Sequence, residues 1–179
     1  MMQSIKAVDL QAQYHAIQSE IDEAVARVLS SGQYLLGAET GKFEAEFSTY
    51  SGVAHAAAVG SGTDAIQLAL RACEIGPGDE VILPSLTFVA SANAIGYTGA
   101  LPVFADIESP DWLCLSPKAL EAALSPRTKA VMVMHYAGFA CDMPAILEIA
   151  RARKLGVIED AAHAVGASLA GKALGAWGD

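Results

Sequence analysis

A chain of 179 residues and 18.5 kDa has the length of one ordinary domain and can bury roughly 70% of its unfolded surface. At 53% hydrophobic and 17% charged residues it is too apolar to be disordered, and a heavily buried sheet is expected. Eleven basic against twenty acidic residues leave a net charge of -9, which offers nothing to a polyanion or an anionic bilayer, so neither nucleic acid nor membrane is expected as a partner.

The first six residues lack the apolar run of a signal peptide, and no stretch approaches the ~18 apolar residues of a membrane span, so a cytoplasmic protein is expected. Ile17, Ile21, Val25, Val28 and Leu29 recur on one helical stripe, with Gly32 where a helix would end. Phe43, Phe47 and Tyr50 repeat the spacing up to Gly52. Residues 1–52 are therefore predicted to form a helical arm and 53–179 the main body, the stripe packing against the core as such stripes ordinarily do.

From Ala56 onward short apolar runs alternate with helical stretches. Strands are predicted at 56–59, 81–83, 101–105, 130–134 and 157–158, buried on both faces because they do not alternate. Helices are predicted at 63–73, 89–97, 118–124 and 144–154, giving a mostly parallel, doubly wound α/β sheet with flanking helices. Residues 166–176 read as a hairpin turning at Ala170-Gly171-Lys172, after which nothing closes the sheet, so the chain is expected to be cut in mid-fold. Cys73, Cys114 and Cys141 are odd in number and far apart; they suggest buried thiols in a reducing compartment, with neither a disulfide framework nor a metal site.

Three segments carry chemistry. Gly60-Ser61-Gly62-Thr63 opens an apolar helix, and such a turn offers free N–H groups and a helix dipole to an anion, typically phosphate. Gly60, Gly62 and Ala65 also satisfy G-x-G-x-x-A, the dinucleotide fingerprint, but the next strand ends in Pro84-Ser85 rather than in a ribose-binding acid. A turn binding nothing is the plain alternative. In the second segment, Val157-Ile158 leads into Glu159-Asp160-Ala161-Ala162-His163, where a buried acid requires a positive partner such as a protonated ring nitrogen. Asp160 could equally cap a turn, and His163 alone would be an ordinary core or surface histidine. In the third, Phe88 after Pro84 could stack on an aromatic ligand or simply belong to the core.

Ser61-Gly62-Thr63-Asp64-Ala65, Pro84 with Thr87-Phe88-Val89-Ala90, His135-Tyr136-Ala137-Gly138, Glu159-Asp160-Ala161-Ala162-His163-Ala164 and Gly178-Asp179, in this order, resemble the DegT/DnrJ/EryC1/StrS sugar aminotransferases. The early Tyr14 helix, Ser31-Gly32-Gln33-Tyr34 and Phe43-Glu44 extend the resemblance over the whole chain. It implies the large domain of the aspartate aminotransferase fold (fold type I), pyridoxal 5'-phosphate as cofactor with pyridoxamine 5'-phosphate as its aminated form, and a homodimer. It further implies that Ser61, Gly62 and Thr63 hold the cofactor phosphate, that Phe88 stacks on the pyridine ring, that His163 packs near its other face, and that Asp160 pairs with the ring nitrogen. Asp160 and His163 would thus be the catalytic residues present.

The family's Schiff-base lysine stands a few residues beyond the Gly-Asp at Gly178-Asp179. None of Lys6, Lys42, Lys118, Lys129, Lys154 and Lys172 occupies its motif, and all six are expected as solvated surface charges. The chain is accordingly expected to be the inactive amino-terminal piece, without the small domain, of an enzyme that moves an amino group from glutamate to a nucleotide-linked keto-deoxysugar. The alternatives are a dehydratase of the same family with histidine for lysine, a nicotinamide-dependent dehydrogenase, and a non-enzymatic binding remnant.

Overall fold

The computed structural model describes residues 8–179; Lys6 and the first six residues, on which the signal-peptide expectation rests, lie outside them. By contact density the chain divides into two compact units, Met1–Phe47 and Ser48–Asp179.

The first unit is helical. Asp9 caps α1 (Leu10–Ala16) by accepting the N–H groups of Gln11 and Ala12 at 3.1 Å. The striped segment is α2 (Gln18–Ser31), which ends on Gly32 in the left-handed conformation (φ 67°). Next comes α3 (Ala38–Ser51). The expected burial of the stripe is not met: Val25 is 52% and Leu29 62% exposed, and no residue of α1, α2 or α3 is buried. Local bonds hold these helices instead. The Tyr14 hydroxyl donates to Asp22 at 2.8 Å, and Glu39 takes both Arg27 (3.2 Å) and Lys42 (3.1 Å).

In the second unit α4 (Gly62–Ala72) precedes β1 (Glu80–Pro84), α5 (Val89–Tyr97) and β2 (Leu101–Ala105). The pair β3 (Ile107–Ser109) and β4 (Trp112–Leu115) follows, then α6 (Pro117–Ala123), β5 (Thr128–Met134), α7 (Met143–Arg153) and β6 (Gly156–Asp160). The main sheet has the order β2-β1-β5-β6, every neighbouring pair parallel. Successive residues of β5 point to opposite faces, and both faces are apolar. Val131 and Val133 join Ile82, Leu120, Met143 and Ile146 on the side of α6 and α7. Ala130 and Met132 join Leu70, Leu83, Ala94 and Ile95 on the side of α4 and α5. The doubly wound α/β sheet expected from the alternation of runs is therefore present, with a helical layer on each face.

Four details depart from expectation. Residues 56–59 form no strand among the described residues, because the four-stranded sheet ends at β2 and β6 and no ladder joins this segment to either edge. β2 is not buried on both faces, since as an edge strand it leaves Leu101 52% and Phe104 56% exposed. The antiparallel pair β3–β4, three and four residues long, is not among the predicted strands, although Trp112-Leu113-Cys114-Leu115 is itself a short apolar run. Finally, Lys172 is not part of the turn: β7 (Ser168–Leu169) and β8 (Lys172–Ala173) pair Leu169 with Lys172, leaving Ala170 and Gly171 as a two-residue loop.

Both loop residues have positive φ, 51° and 81°, the requirement of a type I′ hairpin turn. Alanine is strained there and asparagine is not, so Ala170→Asn is expected to stabilise the protein by about 0.5 kcal/mol. A rise in the urea midpoint at unchanged slope would show it, and no rise would contradict the turn. No described helix is long and apolar enough to cross a membrane. Cys73, Cys114 and Cys141 are all free thiols.

Candidate active site at the carboxyl rim of the sheet

The chain leaves β1 through α5 toward β2 on one side and leaves β5 through α7 toward β6 on the other. The connections thus diverge between the adjacent strands β1 and β5, and ligands of open parallel sheets sit outside the carboxyl ends of the strands at such a point. Of the residues predicted for the site, Phe88 follows β1, Asp160 ends β6 and His163 stands just beyond it. Phe88 stands just past β1 at the start of α5, extended and 63% exposed, so it is not the core residue of its plain alternative.

α4 runs back along the sheet. Cys73 at its carboxyl end lies 3.9 Å from where a Cβ on Gly156, the first residue of β6, would stand. Eleven helical residues span about 16 Å, as do five strand residues, which returns Gly62 and Thr63 to the carboxyl rim. There Ser61 caps the helix: its Oγ accepts the Asp64 N–H at 3.1 Å and donates to Asp64 Oδ2 at 2.9 Å. The Gly62 and Thr63 N–H groups precede the first intrahelical bond, and a Cβ on Gly62 would meet nothing within 4 Å.

Asp160 ends β6 and is only 9% exposed. Its Oδ1 accepts the Ala162 N–H at 3.2 Å, the turn-capping role of its plain alternative, while Oδ2 accepts the Ser91 hydroxyl at 3.2 Å. None of the described ion pairs reaches it. An acid this buried with lone pairs to spare calls for a cationic partner from outside the described residues. His163 follows in the next turn and is exposed; its Nδ1 accepts the Ala137 N–H at 3.3 Å, and its ring stands edge-on to Tyr136 at 5.8 Å.

A second buried group lies one residue back, facing the other side of the sheet. Glu159 Oε2 is 2.8 Å from His135 Nε2 and 2.9 Å from the Gly175 N–H. Oε1 takes the N–H groups of Trp177 (2.5 Å) and Gly178 (2.6 Å). Because His135 Nδ1 accepts the Cys141 N–H (3.2 Å), the ring proton sits on Nε2 and points at Glu159. Burial works against the Glu159 charge, yet His135 and the three backbone N–H groups outweigh it and hold the carboxyl below its ordinary range. The following residues are stitched to β6: Asp179 binds both backbone groups of Val157, and a Cβ on Gly178 would come within 2.5 Å of the Val157 carbonyl oxygen.

The sequence reading gives no role to Ser91, Thr87 or His135, and names Glu159 only as one of the two acids that follow Val157-Ile158. The signal was present in each: polar residues at or just after the end of an apolar strand, or in the first turn of an apolar helix, are buried with it. The dinucleotide reading fails on geometry. Among the described residues no strand precedes the Gly60 turn, and Glu80, at the amino end of β1, is taken by Arg127 and by Ser125 (2.5 Å). Lys42, Lys118, Lys129, Lys154 and Lys172 are all exposed.

Residues 15–179 match the model of the DegT/DnrJ/EryC1/StrS aminotransferase family. This chain belongs to that family. It is 44% identical to the UDP-N-acetyl-3-dehydro-alpha-D-glucosamine 3-aminotransferase of Acidithiobacillus ferrooxidans, over 98% of this chain and 47% of the relative. Among solved structures it superposes on S. venezuelae DesV in complex with a ketimine intermediate (TM-score 0.95, 47% identity, 98% of this chain and 47% of that one). It likewise superposes on NtdA of Bacillus subtilis with bound cofactor PMP (TM-score 0.82, 36% identity, 87% and 36%). The chain spans about half the length of the relatives it matches.

Proposed function

We propose that the complete protein is a pyridoxal-phosphate-dependent aminotransferase acting in the cytoplasm as a homodimer, which moves an amino group from glutamate to the keto carbon of a nucleotide-linked deoxysugar. The observation that carries this reading is the buried Asp160 carboxylate, without a described cationic partner, on the same rim as the open start of α4. A ligand with a phosphate at one end and a protonated ring nitrogen at the other satisfies both, and pyridoxal phosphate has that shape. When bound, this cofactor supplies the electron sink for transfer of the amino group.

The chain's own residues then divide the work. The N–H groups of Gly62 and Thr63 bind the phosphate, and Ser61 holds them in place by capping α4. Phe88 offers a flat face to one side of the ring, and His163, its orientation fixed by the Ala137 N–H, packs toward the other. Asp160 keeps a proton on the ring nitrogen. The relatives' printed activities favour amino transfer over dehydration.

The test is to incubate the full-length protein with pyridoxal phosphate, glutamate and nucleotide-linked ketosugars, and to follow the aminated sugar by mass spectrometry. Amino transfer that depends on both glutamate and the cofactor is expected; dehydration without a donor, or retention of a nicotinamide nucleotide instead, would overturn the reading.

A further inference from the structure

Asp160 is the end of a relay that crosses three elements. Thr87, in the loop after β1, has its Oγ1 2.9 Å from Ser91 Oγ and 3.2 Å from Met134 Sδ. Ser91, in the first turn of α5 and 1% exposed, has its Oγ 3.2 Å from Asp160 Oδ2. Met134 ends β5 and lies directly opposite Asp160 in the β5–β6 ladder.

Proton accounting gives this relay a direction. Two hydroxyl protons serve three gaps, and a carboxylate only accepts. With Asp160 as a carboxylate, the Ser91 proton fills the gap to Oδ2 and the Thr87 proton the gap to Ser91. Only the contact with the Met134 sulfur, the weakest acceptor of the set, then lacks a proton. The Ala162 N–H tethers Oδ1 at the same time. The carboxylate is thus held by one donor on each oxygen, which fixes its plane and leaves its remaining lone pairs to the rim.

Building on the proposed cofactor role of Asp160, we infer that Ser91, itself aimed by Thr87, is a positioning residue: the Thr87–Ser91 hydroxyl pair sets the plane in which the Asp160 carboxylate meets a ring N–H. Ser91 does not itself touch the ligand. Its effect passes through a single Asp160 oxygen and is confined to the ring nitrogen.

The test compares two probes on the full-length, cofactor-free protein: pyridoxamine 5'-phosphate and its 1-deaza analogue, in which a ring C–H replaces the nitrogen. Dissociation constants are read by titration calorimetry. The unmodified protein is expected to prefer pyridoxamine phosphate at least tenfold, since a hydrogen bond to a charged group is at stake. Ser91→Ala should weaken pyridoxamine phosphate about three- to tenfold and leave the deaza analogue unchanged. Ser91→Thr, which keeps the hydroxyl, should restore the preference. Thr87→Val, nearly isosteric, should lose part of it, and it carries the comparison if Ser91→Ala does not fold. Equal weakening of both probes, or no weakening of either, would overturn the relay. Equal binding of the two probes by the unmodified protein would instead overturn the Asp160 reading on which it rests.

Discussion

Asp160→Asn in the full-length protein is expected to lower kcat for amino transfer roughly 10- to 100-fold with a much smaller change in KM. Asparagine has the same shape: its Oδ1 keeps the Ala162 N–H, and its Nδ2 faces Ser91, whose hydroxyl turns to accept from it. What disappears is the charge facing the ring nitrogen, and hydrogen bonds between charged partners are worth about 1.5–3 kcal/mol, where 1.36 kcal/mol is a factor of ten in rate. The variant should melt within a few degrees of the unmodified protein, because nothing else that Asp160 touches is lost. Steady-state kinetics beside a melting curve make the check; unchanged kcat with intact folding would remove Asp160 from the chemistry.

Glu159→Ala should act the other way, on stability before chemistry. It leaves the buried Nε2–H of His135 and the N–H groups of Gly175, Trp177 and Gly178 without their acceptor. Each buried orphan costs about 1–3 kcal/mol, less where water reaches it, so a loss of about 3 kcal/mol and a fall in Tm on the order of 10 °C are expected. The same group sets a pH dependence. The folded-state value of Glu159 is depressed, so its contribution is complete above the ordinary Glu value of about 4.3 and fades as pH falls through the lower folded value. Melting temperatures from pH 7 down to pH 3 should therefore drop less steeply in Glu159→Ala than in the unmodified protein. Parallel curves would show that the carboxylate is not held as the geometry requires.

Much of this architecture is legible in the residue order. Runs such as 130–134, apolar at every position, read as strands covered on both faces, and there the sheet is wound accordingly. The caps are legible as well, since Ser61 before an apolar helix and Gly32 after one do locally what their chemistry predicts. Residues 56–59 show the limit: an apolar run becomes a strand only when a neighbour completes its hydrogen bonds, and composition does not reveal whether that neighbour is there.

The site divides along the same line. Gly62, Thr63, Phe88, Asp160 and His163 stand out because each follows a local pattern at the end of an element. The recruitment of Ser91 and Thr87 to Asp160, and of His135 to Glu159, belongs to the tertiary structure alone. By itself the sequence determined the layers, the strand direction and the family. Only the folded chain decided which hydroxyl faces Asp160 and which backbone N–H groups Glu159 gathers, because residues 24 or 69 positions apart meet through strand order and register, which no local spacing encodes.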